Sequence, residues 1–347
     1  MMRYRPLGDS GIQVSLIALG TMTWGEQNSQ AEAFEQLDYA LSQGVNLIDT
    51  AELYAIPPSA ETYGKTETII GNWLKRSGRR GDVVLASKVA GNSEGWVDHI
   101  RGGPRLNRAQ MTEALHGSLK RLQTDWLDLY QIHWPAREAN YFGKLGVSEL
   151  ADEEVESIEE TLGVLNDFVR DGLVRHIGIS NETPWGLMQY LCLAEKHGWP
   201  RVVSIQNPYN LLNRSFEIGL AEMSLRERVG LLAYSPLGFG ALSGKYLHGD
   251  APPDSRLALF PDYQRYTTPA GVEATRRYAA LAREAGLSPA QLALAFINSR
   301  AFVSANIIGA TRMDQLRENI ASVDVELSSD LLEAIDAVHA EISNPCP

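Results

Sequence analysis

The sequence predicts an α/β fold made of eight strand-then-helix repeats, as either a closed (β/α)8 barrel or an open doubly wound sheet. Three observations carry this. Short runs of Val, Ile and Leu recur along the 347 residues, and segments of helical period separate them. The runs, such as VVLAS at 83–87 and NIIG at 306–309, are continuous rather than alternating, as in a parallel sheet buried on both faces. The third is the absence of a low-complexity linker or composition break, so residues 1–347 are expected to form one domain.

Taken in order, LGDSGIQVS at 7–15 reads as a hairpin with a glycine-containing turn that closes the floor of a barrel. Eight strands follow at Leu16–Gly20, Asn46–Thr50, Val83–Ser87, Leu127–Ile132, His176–Ser180, Val203–Gln206, Gly230–Tyr234 and Ser304–Gly309. Asn107 and Gln110 have the spacing of a capping box, and Met111, Leu115, Leu119 and Leu122 then share one helical face. Ser288, Pro289 and Gln291 supply a cap, a first-turn proline and a third-position amide before LALAFI. Further helices are expected over 31–43, 65–76, 157–171, 184–197, 215–227, 272–286, 313–322 and 328–341. Three connections, 89–107, 134–154 and 245–270, are longer than compact domains normally use, which marks them as binding loops or lids.

Composition narrows the function. With 31 Lys and Arg against 43 Asp and Glu, the formal charge is −12, which disfavours a general grip on nucleic acid or an anionic membrane. The amino-terminal segment lacks an apolar signal core and no uncharged run reaches the roughly 18 residues of a spanning helix, so a cytoplasmic protein is expected. Two cysteines, Cys192 and Cys346, make neither a disulfide framework nor a multi-cysteine zinc site. The histidines other than His133 (His99, His116, His197, His248 and His339 among them) show no metal-ligand spacing, and no metal is expected.

The chemistry-bearing residues follow the strands. Asp49 and Tyr54 come after the second, Lys88 after the third, His133 and Trp134 after the fourth, Ser180 and Asn181 after the fifth, Gln206 after the sixth, and Tyr234 and Ser235 after the seventh. In a barrel these positions share the carboxyl-end rim, where active sites of that architecture lie. A tyrosine is a weak acid with an ordinary pKa of about 10; an adjacent ammonium stabilises its phenolate, and a carboxylate keeps that lysine charged and oriented. A histidine beside them donates to a substrate oxygen or relays a proton. Asp, Tyr, Lys and His around one point suit protonation of a carbonyl oxygen. They suit nucleophilic hydrolysis poorly, since no serine or cysteine sits with a base in a nucleophile elbow.

Eight motifs in order then carry a resemblance: LGTMTWGEQNS at 19–29, NLIDTAELY at 46–54, ASKV at 86–89, DLYQIHWP at 128–135, IGISNET at 177–183, IQNPYNLLNR at 205–214, AYSPLGFGALSGKY at 233–246 and IIGATRMDQLRENI at 307–320. The chain resembles an aldo-keto reductase, most closely the bacterial Tas-type branch. The resemblance implies a (β/α)8 barrel that reduces aldehydes and ketones with NADPH. It implies a catalytic tetrad of Asp49, Tyr54, Lys88 and His133, with Tyr54 as proton donor, Lys88 lowering its pKa, Asp49 holding Lys88 and His133 orienting the carbonyl. Ser180, Asn181 and Gln206 match positions on the nicotinamide carboxamide, and Tyr234 matches the aromatic stacked on its ring. The pyrophosphate clasp falls on Ser235, Pro236, Leu237, Gly238, Gly240, Ser243, Gly244 and Lys245, and the adenosine end on Gly309, Thr311, Arg312, Gln315, Glu318 and Asn319. Gly20, Thr21, Met22 and Asp49 complete the cofactor set; Trp24, Trp96 and Trp134, by their places after strands one, three and four, either join Tyr54 and His133 around the substrate or pack in the core or a lid.

The residues themselves support part of this. Gly238 to Gly244 is nearly GxGxxG, with Ser243 in place of the third glycine, but lacks the early βαβ position and the downstream acidic residue of a dinucleotide fingerprint. Ala310 and Gln315 occupy places where many family members carry a lysine and an arginine for the cofactor phosphate, although Thr311 and Arg312 remain to bind it.

Other readings compete. Asp49 and Thr50 would serve as a cap, Lys88 as a salt-bridge partner of Asp49, and His133 as a loop histidine. Cys192 falls on the apolar face of LMQYLCLAEKH and reads as core; Cys346 lies in a tail that, after Ile342, is expected to shape the pocket. The cluster Lys75, Arg76, Arg79 and Arg80 reads as a solvated helix end. A Schiff-base aldolase using Lys88 would need that lysine neutral, against the influence of Asp49. A cofactor-binding regulatory subunit with slow turnover would keep the same residues. The oligomeric state is not legible.

Overall fold

The computed structural model describes every residue except 94, 152, 153, 248 and 250, so parts of the three long loops and His248 lie outside the described residues. A two-stranded antiparallel hairpin, β1 (Tyr4–Pro6) and β2 (Gln13–Ser15), precedes eight parallel strands. These are β3 (Ile17–Gly20), β4 (Leu47–Asp49), β5 (Val84–Val89), β6 (Leu127–Ile132), β7 (Val174–Ser180), β8 (Val202–Pro208), β9 (Gly230–Tyr234) and β10 (Val303–Ile308). β10 pairs with both β9 and β3, which closes the sheet and excludes the doubly wound alternative.

The hairpin lies across the amino-terminal ends of the strands. The Ser304 hydroxyl donates to the Pro6 carbonyl at 2.7 Å. A Cβ on Gly8 would sit 2.2 Å from the Val203 carbonyl oxygen, so only glycine fits that approach. Leu7 and Val14 are fully buried with the inward-facing Ala18, Leu47, Ala86, Leu129, Leu232 and Ala305, which fill the barrel interior from the floor.

The helices pack their apolar faces on the outside of the strands. α1 (Gln30–Ser42) and α4 (Ile158–Arg170) start on reciprocal capping boxes at Ser29/Glu32 and Ser157/Glu160, and α9 (Pro289–Asn298) on Ser288/Gln291 as the sequence predicts. α2 (Lys65–Ser77), α5 (Pro184–His197), α10 (Met313–Ala321) and α11 (Ser329–Glu341) fall near their expected positions.

Four local expectations are corrected. At α3 (Arg108–Leu122), Asn107 accepts from Gln110 N at 3.0 Å, but the Gln110 side chain turns away to accept from Arg105 N, so the box is half made. The helix expected over 215–227 is a 3-10 turn at Ser215–Glu217 followed by α6 (Leu220–Glu227), because Gly219 at φ 104° breaks the run. The loop 245–270 contains the one-turn α7 (Arg256–Leu259) and the start of α8 (Pro269–Glu284). Cys192 is exposed and Cys346 buried, the reverse of what their segments suggest; Cys346 sits where Gly271 leaves room, beside Thr268.

Candidate active site

A cavity of about 810 Å3 opens at the carboxyl ends of the strands. Strand register brings its chemistry together: Leu19–Gly20 pairs with Ile48–Asp49 and Ile48–Asp49 with Leu85–Ala86, while Lys88 stands opposite Gln131 on β6. Lys88, fully buried, donates to Asp49 Oδ2 at 2.7 Å and to the Thr50 carbonyl at 2.8 Å, and lies 3.4 Å from the Tyr54 hydroxyl. Asp49 Oδ1 accepts from Gln206 Nε2 at 2.8 Å and Gln131 Nε2 at 3.3 Å, so both carboxylate oxygens are engaged. His133 meets the half-buried Tyr54 ring edge to face at 5.8 Å between centroids. Asp49, Tyr54 and His133 line the cavity directly, and Lys88 stands behind Tyr54.

The protonation states follow from this packing. The protein around the Tyr54 hydroxyl pushes its pKa above the ordinary value, and the Lys88 ammonium offsets only part of that rise. This corrects the expected net lowering: the lysine acts in the expected direction, but desolvation is larger. For Lys88, burial alone would lower the pKa, yet Asp49 and Tyr54 more than compensate and hold the ammonium above its usual range. Burial, then the charge of Lys88, holds His133 well below its usual value, so its imidazole is neutral.

The next ring of side chains is equally connected. Asn181, left-handed at φ 54°, donates to the His133 carbonyl at 2.8 Å and accepts from the Tyr234 hydroxyl at 2.6 Å; asparagine tolerates that backbone region better than most residues. Ser180 donates to the Gln206 carbonyl at 2.6 Å, and Thr21 to the Asp49 carbonyl at 2.8 Å. Gly20, Thr21, Met22, Ser180, Asn181, Gln206, Tyr234, Ser235, Pro236, Leu237, Gly240, Ser243 and Lys245 all line the cavity. Gly309, Thr311, Arg312, Gln315, Glu318 and Asn319 line its far end, where a Cβ on Gly309 would meet open space. Gly238 and Gly244 do not face it: both take left-handed backbone, and Gly238 lies against the Tyr266 ring, so they shape the turn.

The three tryptophans separate. Trp96 lines the cavity and is about half exposed. Trp134 is buried behind His133, its indole donating to the Asn92 carbonyl at 2.8 Å and packing on Trp96 at 5.1 Å. Trp24 is core rather than pocket, fully buried with Nε1 donating to Gln36 at 3.1 Å. The tail after Ile342 does not line the cavity either; it reaches it through Arg265, which donates to the Pro347 carbonyl.

Phe142, Arg256 and Arg265 were not expected in the lining. Phe142 comes from the long loop 134–154, and both arginines from 245–270, so loop length was the available signal. Arg256 packs over the Phe239 ring at 4.9 Å. Lys245, at the mouth, is pulled down in pKa first by the protein around it and then by Arg256. Neither forms an ion pair with a carboxylate among the described residues, whereas Arg312 bonds Asp254 at 2.9 Å and Asp314 at 3.2 Å. The Lys75–Arg80 cluster is also only partly solvated, since Arg80 bonds the buried Asp128 at 2.8 Å. Among the described residues no group of three or more His, Cys, Asp or Glu is placed to hold a metal ion, and no helix is long and apolar enough to cross a membrane.

The aldo/keto reductase family model matches residues 16–340. The chain is 53% identical over 346 residues to the protein tas of Escherichia coli, covering all of both chains. It is 33% identical to the uncharacterized oxidoreductase YrpG of Bacillus subtilis over 97% of this chain and 96% of that one. It is 32% identical to a probable voltage-gated potassium channel subunit beta of Oryza sativa, with the same coverage. The chain therefore belongs to the aldo/keto reductase family, within its Tas-type branch.

Proposed function

We propose that this chain is a cytoplasmic NADPH-dependent oxidoreductase that reduces the carbonyl group of small aldehydes and ketones to an alcohol. One observation carries the reading: a protonated Tyr54 faces the cavity 3.4 Å from a buried ammonium and beside a neutral imidazole. The cofactor fits the donor set elsewhere in the cavity lining, where Arg256 lowers the Lys245 pKa, Asp254 offsets part of that, and neither cation forms a salt bridge among the described residues, so that bound phosphate would find both available. Ser180, Asn181 and Gln206 would hold the nicotinamide amide against Tyr234; the turn 235–245 would hold the pyrophosphate, and residues 309–319 the adenosine end. When bound, the reduced nicotinamide supplies hydride to the carbonyl carbon.

The protein's own part is acid catalysis and orientation. His133, uncharged, offers a ring N–H to the carbonyl oxygen, and Tyr54 delivers the proton to that oxygen as negative charge develops there. Lys88 stabilises the resulting phenolate, and Asp49, gripped by Gln206 and Gln131, keeps Lys88 charged and aimed. That charged state argues against Lys88 as a Schiff-base nucleophile.

For NADPH over NADH the support is the cation pair together with Thr311 and Arg312. Arg312 must exchange Asp254 and Asp314 for a 2′-phosphate, so the preference is expected to be modest. Absorbance of NADPH followed against a panel of carbonyl compounds tests the reading. Consumption supports it, while tight NADPH binding with negligible turnover across the panel would favour a regulatory subunit, the second reading that the channel-subunit relative brings in. Equal NADH and NADPH dissociation constants by fluorescence quenching would overturn the cofactor preference.

A further inference from the structure

Two residues before Tyr54 lies Glu52, a carboxylate with no solvent exposure that the mechanism above does not use. Its contacts are unusually many. Glu52 N donates to the Lys88 carbonyl at 3.2 Å, and Glu52 Oε1 accepts from Ala90 N at 2.8 Å, so one residue grips the backbone on both sides of Val89. The Glu52 carbonyl accepts from Gly64 N at 3.1 Å, and Oε2 accepts from the Tyr63 hydroxyl at 3.0 Å. Arg101 closes the cluster with a two-pronged contact, Nη2 to Oε1 at 2.8 Å and Nη1 to Oε2 at 2.5 Å. The Arg101 side chain is 6% exposed and, among the described residues, is the cation paired with Glu52.

Two consequences follow from this placement. The segment 50–54, which carries Tyr54, is fastened to β5, which carries Lys88, by backbone bonds from Thr50 N to the Ala86 carbonyl and from Glu52 N to the Lys88 carbonyl, and at the strand's end by the Glu52 side chain on Ala90 N. The charge on that side chain is balanced by the loop 89–107, which also carries the cavity-lining Trp96. A buried carboxylate left without its cation is costly, so Arg101 fixes the state of Glu52 as well as the path of the loop.

We propose that Glu52 is a positioning residue for the Tyr54–Lys88 pair, with Arg101 as the counter-ion that keeps it in place. The proposal rests on the reading of Tyr54 as the general acid. Glu52 does not line the cavity; it sets the alignment of the phenol with the ammonium, and small misplacements of reacting groups cost on the order of 100-fold in rate.

The test is steady-state and binding measurements on Glu52→Gln, Arg101→Met and Arg101→Lys, with Tyr54→Phe as reference. Glu52→Gln keeps the shape and removes the charge. It should lower kcat by about 10- to 100-fold while the NADPH dissociation constant stays within about 2-fold, because the cofactor-lining residues are on other elements. Arg101→Met should lose as much, and Arg101→Lys, which keeps the charge but not the fork, should recover a substantial part. A general loosening of the fold would instead weaken NADPH binding in step with kcat and show no rescue by lysine. Glu52→Gln with kcat within 2-fold of the parent, or Arg101→Lys no better than Arg101→Met, overturns the proposal. Should Glu52→Gln fail to fold, the two Arg101 variants alone decide it. If Tyr54→Phe remains active, the reading of the acid has failed rather than the positioning role.

Discussion

The two ends of the cavity treat charge in opposite ways. At the Tyr54 end the ammonium of Lys88 has its carboxylate, its carbonyl and its phenol within 3.4 Å, and the carboxylate is itself gripped by two glutamines. At the other end Lys245 lines the space with Arg256, which reaches toward Tyr54 as well; neither has a salt bridge among the described residues, and Asp254 acts on Lys245 only at longer range. The first end is complete before any ligand arrives; in the proposed function the second is completed by the cofactor's phosphate. Preorganised charge accelerates a reaction because nothing need reorganise in the transition state, whereas unpaired charge at a cavity wall gives binding energy. Chemistry and affinity should therefore separate by mutation.

The largest separation is expected at Lys88. Lys88→Met removes the ammonium beside the Tyr54 hydroxyl and leaves burial and the Asp49 charge opposed only by the weaker influence of Arg256, so the phenol becomes a weaker acid still. The chemical step should fall by about 10²–10⁴, with NADPH affinity little changed. Single-turnover kinetics with a separate fluorescence titration checks both halves; a loss that appears mainly in NADPH affinity would break the comparison.

Arg256→Met is the mirror image. Losing one charge-assisted hydrogen bond to phosphate, worth roughly 1.5–3 kcal/mol, should weaken NADPH binding by about 10- to 100-fold and leave the single-turnover rate of the saturated enzyme near the parent value. Added salt should weaken binding in the parent more than in the variant, since the mouth of the cavity is open to screening. A variant with unchanged affinity would remove Arg256 from the cofactor end.

The smallest effect concerns pH. His133 is held neutral by burial and by Lys88, well below an ordinary histidine, and Tyr54 stays protonated to higher pH than an ordinary tyrosine. The catalytic groups thus keep one protonation state from about pH 6.5 to 9, and kcat for reduction should be flat across that window. For stability the sign is fixed as well. Below about 6.5 the unfolded chain takes up a proton at His133 that the folded chain refuses, so its contribution to stability is present above that pH and declines as pH falls. A kcat limb near 6.5 that vanishes in His133→Gln would show the imidazole to be titrating and would break the assignment.

The eight strands and the four residues following them were legible because both rest on local patterns: continuous apolar runs for the strands, and polar residues directly after them. The closure of the sheet was not legible from these runs, since it depends on β10 meeting β3 across the whole chain. Trp24 was misplaced for a similar reason: following a strand puts a residue at the rim, but its indole folds back to Gln36 on α1. Arg256 and Arg101 sit in long loops without periodicity; Arg101 is defined by Glu52, 49 residues away, and Arg256 packs over Phe239 with no salt bridge among the described residues. The direction of the Tyr54 shift was missed because neighbours can be guessed from motif spacing, whereas the extent of desolvation is a property of the finished fold.

The central claim is that the Tyr54 hydroxyl supplies the proton. Tyr54→Phe removes that one oxygen and keeps the ring against His133. With NADPH saturating and a good carbonyl substrate, the single-turnover rate should fall by about 10²–10⁴ while the NADPH dissociation constant stays within a few fold of the parent. A Tyr54→Phe protein that turns over at close to the parent rate would contradict the account.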